Sequence, residues 1–519
     1  MTRKILALVV ALALLISAAG AALATDKYAP VEGKTYAFDI LSAQANPVEN
    51  DAPLVQYWNK KFGVEINIVN AAGEALNVLI AAGDAPDTLS ISGVPNYTKL
   101  ARDGVLLEMD EEVIKTYAPN YHVKMIEYAP DYFENCKVDG AIYGLNGINY
   151  WAAFHQPIAW NGQWLEAIGM DHAPATFDEM DAALRGFALN DPDGNGQKDT
   201  FGLSQSGMQL VYSAFGAIVP ESGIFWQEMN GELYPTLITE NAKNALAYLA
   251  ELYKAEVLSP DFITGENTGG YWANSHAFIN GQVGLSCMAN HYHWAPGDET
   301  RDYASGGSNW AAIYETNPEA ALAIKYGQPI PTADGWQYFA SQGTTYSNSF
   351  SCLNSDLESE PDKIGKLLQM YDYIGSTDVE NLATAIYGFK GEHWDYATAR
   401  GQEMPARDPA RTAVDDILLG GNTTMFFLVA PQVYSAAYPE HFITAKLMEV
   451  DKYVIQTAVT SSLDAQNMYG DDCNTLKQEF YTAVIRGEKS VEEFDAFVAE
   501  WLAMGGQEIW DEAKAAYQK

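Results

Sequence analysis

The sequence predicts an α/β protein, and three observations carry that expectation. Short segments of alternating apolar and polar residues are interleaved with amphipathic helical segments over residues 36–104. Helical stripes dominate beyond about Pro174. Hydrophobic residues make up 48% of the 519-residue chain, enough to bury sizeable cores and to exclude disorder over most of it. The charge balance narrows the partners. With 30 Lys+Arg against 68 Asp+Glu, the formal net charge of -38 repels nucleic acid and anionic membrane alike.

The elements follow in order. Arg3 and Lys4 precede an apolar run over residues 5–18, and Ala22-Leu23-Ala24 stands before Thr25. This is the pattern of a secretory signal peptide over residues 1–24, so an exported protein is expected: extracellular, cell-surface or periplasmic. No Cys lies near that site, so no lipobox cysteine is expected to anchor the chain. Residues 36–41 read as a strand and residues 53–62 as a helix stopped by Gly63. Val64, Ile66 and Ile68 alternate with Glu65 and Asn67, the period of a half-buried strand. A helix over residues 74–82 ends at Gly83, a strand follows at 88–91, and a helix over 97–103 closes at Gly104. This βαβαβ order predicts a mostly parallel sheet covered by helices.

Further on, Thr176-Phe177-Asp178-Glu179 and Ser490-Val491-Glu492-Glu493 are capping boxes, in which the hydroxyl and the carboxylate each satisfy a backbone N–H at a helix start. Leu246, Leu249, Ala250 and Tyr253 form one helical stripe; Phe494, Phe497, Val498, Trp501 and Leu502 form another, ended by Gly505-Gly506. Both read as core. Cys136, Cys287, Cys352 and Cys473 are widely spaced and make no C-x-x-C; an oxidising compartment permits disulfides, but none is assigned.

Asp191, Asp193, Asn195 and Asp199 occupy positions 1, 3, 5 and 9 of a loop with Gly196 at position 6. That is the first three-quarters of an EF-hand loop, because the Gly turn aims alternate oxygen side chains at one hard cation. A structural calcium ion is expected there, with the Gln197 carbonyl as a further ligand. Position 12 is Gly202, so the bidentate Glu of a signalling EF-hand is missing.

The chain resembles the family 1 extracellular solute-binding proteins of ABC importers. Residues 81–87 (Ala-Ala-Gly-Asp-Ala-Pro-Asp) are similar to that family's "asGdaPD" segment, and residues 104–120 to its "G-l-l-p-L-d … y-a-P-n" stretch. Tyr143-Gly144-Leu145 resembles the entry to the second lobe, and Trp164-Leu165 through Glu179 resembles "D-W-L-d-k-L-G … P-T-t-D-E-l". Phe278 to Gly284 is similar to "F-x-x-G-k-a-G". Residues 387–392 and 487–506 resemble the large, often lipid-anchored, oligosaccharide-binding subgroup. Two departures stand out: the absent lipobox cysteine, and Trp160-Asn161-Gly162-Gln163 where relatives often carry Tyr-Arg-x-Asp.

The resemblance implies a two-lobed, type II periplasmic-binding-protein-like fold with a helix-rich C-terminal lobe. The expected division is lobe 1 over 25–147, lobe 2 over 148–342, a return to lobe 1 over 343–386, and a helical part of lobe 2 over 387–519. It further implies a monomer that closes by hinge motion on a carbohydrate and delivers it to the permease subunits of an ABC transporter. Sugars pack C–H faces on aromatic rings and need fixed polar partners for their hydroxyls. The candidate ligand-contacting residues are therefore Trp151, Trp160, Trp226, His291, Tyr292, Trp294, Trp336 and Trp394. The rivals are a secreted glycoside-active enzyme and a receptor for a non-sugar ligand such as a peptide. No G-x-S-x-G, H-E-x-x-H or P-loop occurs, so no catalytic residue is named. His291-x-His293 alone is too small a set for a metal.

Overall fold

The computed structural model describes residues 27–264, 273, 275–298, 306–421, 428–461 and 463–517; the expected signal peptide lies outside the described residues. The chain divides into two compact units, the first formed by residues 1–148 and 346–439, the second by 149–345 and 440–519.

In the first unit the strand Tyr36–Ser42 pairs in parallel with Val64–Asn70, joined by the helix Pro53–Phe62. Leu54, Val55 and Trp58 bury one face of that helix, and Gly63 ends it in the left-handed conformation at φ 65°. The helix Glu74–Ala82 ends the same way at Gly83. The next strand, Thr88–Ser92, departs from the expected parallel sheet. It pairs antiparallel with Tyr346–Leu353, which is also antiparallel to Gly144–Ile148. The reason is topological. Gly144–Ile148 is the last strand before the chain leaves this unit and Tyr346–Leu353 the first after it returns, so the two run in opposite directions.

Residues 387–439, assigned from the sequence to the second lobe, belong to the first unit. Its packing explains the correction. The Leu54 N–H donates to the Leu419 carbonyl at 3.0 Å, Phe389 meets Tyr57 edge-on at 5.5 Å, and fully buried Asp416 accepts from Arg407 and Arg411. An acid this deep is tolerable only because both guanidiniums reach it.

The second unit is built on a four-stranded sheet in the order Lys325–Gly327, Ile158–Trp160, Val283–Ser286, Phe201–Leu203. Val283–Ser286 runs parallel to Phe201–Leu203 and antiparallel to Ile158–Trp160. The Phe278–Gly284 stretch has a packing explanation here: a Cβ on Gly284 would lie 2.1 Å from a Phe187 ring carbon, so the close approach of strand and helix requires glycine. That helix, Phe177–Leu189, opens at Thr176 with both capping-box hydrogen bonds formed, and the box at Ser490 also forms. The helices Glu240–Lys254, Asp464–Ile485, Phe494–Trp501 and Gln507–Tyr517 belong to this unit, and the first unit is comparably helical. Leu246 and Leu249 from the first stripe, and Phe494, Phe497 and Trp501 from the second, are buried in one core. Cys136, Cys287, Cys352 and Cys473 are buried thiols, with no disulfide among the described residues. Among the described residues, no helix is long and apolar enough to cross a membrane.

Candidate functional site

In open α/β sheets ligands collect beyond the carboxyl ends of parallel strands, where helix starts and loops expose polar backbone and side chains. In the second unit those ends are Leu203 and Ser286. Immediately beyond them, Gln205, Met208, Gln209 and Met288 line a cavity of about 270 Å³. Gln156, Tyr212, Glu221, Lys477, Gln478 and Tyr481 complete its polar and aromatic wall. Lys477 is 3% exposed, and its Nζ donates to the carbonyls of Pro220 at 2.9 Å and Glu221 at 2.8 Å. Burial pushes its ammonium down to about 8.

Beside the cavity, segments of the second unit that adjoin the chain crossings meet in an aromatic cluster. Trp151, half-buried, contacts His291 at 5.3 Å, Tyr292 at 5.5 Å, His441 at 5.0 Å and Phe442 at 6.0 Å between ring centroids. Interplanar angles of 44–70° make these tilted or edge contacts rather than parallel stacks. Gln342 holds the cluster together. Its Nε2 donates to the His155 carbonyl at 2.6 Å, its Oε1 lies 3.0 Å from His291 Nδ1, and its carbonyl accepts from Asn149 Nδ2 at 2.8 Å. His291 Nε2 lies 3.0 Å from the His441 carbonyl, tying in the last crossing segment.

The histidines here are held neutral. Burial pulls His155, His291 and His293 down to about 4, and His441 is lowered by the same cause. Among the described residues, no three His, Cys, Asp or Glu side chains are drawn together as a metal cluster.

Of the candidates from sequence, Trp151, His291 and Tyr292 come together and Tyr292 and Trp151 reach the surface in part. Trp336 stands elsewhere on the second unit, half-buried in a turn where it meets exposed Tyr338 at 5.4 Å. Trp160, Trp226, Trp294 and Trp394 are corrected to core residues. Each is at most 2% exposed, which leaves no ring face for a ligand. Trp294 donates to the Met288 carbonyl at 2.6 Å and Trp394 to the Gly388 carbonyl at 2.8 Å, so their polar edges are satisfied internally. The sequence reading missed Gln342, His441 and the cavity glutamines. The Ser-Gln-Ser-Gly-Met-Gln stretch straight after a short apolar strand was a usable signal for Gln205 and Gln209.

In the loop at 191–199 the Gly196 N–H donates to Asp191 Oδ2 at 3.0 Å and the Gln197 N–H to Asn195 Oδ1 at 2.7 Å. The Asn195 amide nitrogen lies 2.8 Å from Asp193 Oδ2 and 3.2 Å from Asp199 Oδ2. It thus stands where a positive charge would be drawn. Local desolvation within the loop, together with the Asp191 and Asp199 carboxylates, raises the Asp193 carboxyl.

The architecture is that of the type II periplasmic solute-binding proteins. Residues 54–348, more than half the chain, match the family model described as bacterial extracellular solute-binding protein, and the protein belongs to that family. It is similar to the polygalacturonan/rhamnogalacturonan-binding protein YtcQ of Bacillus subtilis (strain 168), at 24% identity over 86% of this chain and 83% of the relative. The fold is shared with the HMO binding ABC-transporter associated solute binding protein of Bifidobacterium longum infantis, at TM-score 0.65 and 15% identity, over 94% of this chain and 99% of that one. It is likewise shared with the EF-hand mutant of FusA, an ABC-transporter substrate binding protein of S. pneumoniae, in complex with fructo-nystose. Here the TM-score is 0.62 at 16% identity, over 93% and 99% of the two chains.

Proposed function

We propose that this protein is the carbohydrate receptor of an ABC importer, binding an oligosaccharide without chemistry and passing it to the permease. The observation that carries the reading is the half-buried Trp151–Tyr292–His441 cluster beside an amide-lined cavity at the strand ends. Rings serve sugar faces, and amides, which both donate and accept, serve hydroxyls. YtcQ, FusA and the Bifidobacterium protein, whose names or bound ligands are carbohydrates, support it. A thermal-shift screen against a glycan panel tests it, since a ligand of the folded state raises the midpoint by mass action. Trp151→Ala should weaken the best hit by about 1–3 kcal/mol, and the sugar should be recovered intact. Cleavage above a heat-killed control would move the reading to an enzyme.

The same proposal includes a structural calcium at Asp191, Asp193, Asn195, Asp199 and the Gln197 carbonyl. The donor set fits a hard cation: oxygen side chains of net negative charge, exposed, on a turn already ordered by Gly196. The FusA structure described as an EF-hand mutant supports this reading of the loop. Chelation should lower stability by roughly 2–4 kcal/mol where calcium was well above its dissociation constant. Asp193→Ala should mimic the chelator and remove further sensitivity to it. Melting curves indifferent to both calcium and chelator would exclude the ion.

A further inference from the structure

Resting on the carbohydrate reading, we infer that the site in the second unit selects uncharged oligosaccharides and discriminates against uronate-containing ones. The first ground is the cavity lining. Among the described residues it contains no Arg, the residue whose planar fork recognises carboxylates in two parallel hydrogen bonds. Gln156, Gln205, Gln209 and Gln478 present neutral amides instead. Lys477 is the one lining cation among the described residues, and it is committed to the chain: buried, with Nζ directed at two carbonyl oxygens, those of Pro220 and Glu221. The Glu221 side chain lies on the same wall, so the lining offers a carboxylate no net positive charge.

The second ground is the aromatic cluster. The burial that packs His291 and His441 against Trp151 disfavours the imidazolium, and for His291 it outweighs the Gln342 Oε1 and His441 carbonyl acceptors that pull the other way. The third is the field of the whole chain. A formal charge of -38 repels a polyanion before it reaches the surface, least at high salt and most at low salt. A uronate chain would therefore give up hydration for a site without a matching cation, in a field of the wrong sign. A neutral sugar meets neither cost.

The test measures the full chain by calorimetry against two matched series, neutral fructo- and galacto-oligosaccharides and oligogalacturonides of the same lengths. The expected result is binding of a neutral member with the matched uronate weaker by on the order of ten-fold or more, a gap that widens as salt is lowered. Gln209→Arg should narrow that gap by favouring the uronate. In Lys477→Met the preference for the neutral sugar over the matched uronate should not fall, whatever the change in overall affinity from losing the donor to Pro220 and Glu221. Tighter binding of an oligogalacturonide, lost selectively in Lys477→Met, would overturn the inference while leaving the carbohydrate reading intact. Silence from both series would overturn the inference, and the glycan panel would then decide the carbohydrate reading separately.

Discussion

Trp294→Ala is expected to cost about 3–5 kcal/mol of stability while leaving ligand affinity nearly unchanged in the protein that remains folded. Trp294 is fully buried, meets Phe278 edge-to-face at 5.3 Å and sits in a core with Trp310, Val283 and Ala289. Truncation opens a large cavity and leaves the Met288 carbonyl without its 2.6 Å donor. That loss has two parts, transfer of the ring and the void left behind in a close-packed core. Urea unfolding followed by fluorescence measures it. Trp151→Ala should show the reverse pattern, a small stability change with a clear loss of affinity. If Trp294→Ala instead kept its midpoint and lost its ligand, the ring would have to be reassigned to the binding surface.

This contrast marks what the sequence could and could not convey. Local chemistry was legible. Gly63 and Gly83 cap helices whose bounds match the periodicity, and the Thr176 and Ser490 boxes form as written, because caps depend on residues within a turn of each other. Pairings between distant segments were not. The antiparallel contact of Cys352 with Leu89 and with Gly144 depends on where the chain leaves and re-enters a unit, and no local pattern encodes that. The same gap misplaced residues 387–439. Composition was no guide to the tryptophans either. A Trp suits a core as well as a ligand wall, so four of the named rings turned out to be buried while Trp151 joined the cluster.

Folding stability should carry an acid-sensitive component centred on His155. This ring is fully buried, with Nδ1 2.6 Å from the Gln156 carbonyl and Phe339 5.7 Å away; Nε2 has no hydrogen-bond partner. The neutral tautomer that donates from Nδ1 suits this pocket. A second proton would place a charge and an unmet N–H donor in an apolar setting, and although Asp451 pulls the other way, burial dominates and lowers the group to about 4. The folded value lies below the unfolded one of about 6.5, so between the two the unfolded chain binds the extra proton. Stability is therefore whole above pH ~6.5 and is lost as pH falls toward 4, at up to roughly 1.4 kcal/mol per pH unit for this ring, or about 3 kcal/mol in all. His291 and His293, lowered in the same direction, add to the slope. A competing effect has the opposite sign: protonating carboxylates relieves self-repulsion in a chain of formal charge -38. The two separate in a difference measurement. Subtracting the stability of His155→Gln from that of the unaltered protein across pH 4–7 cancels the shared carboxylate background and should leave a slope near one proton. A difference that stays flat across that range would mean that His155 titrates normally in the folded protein.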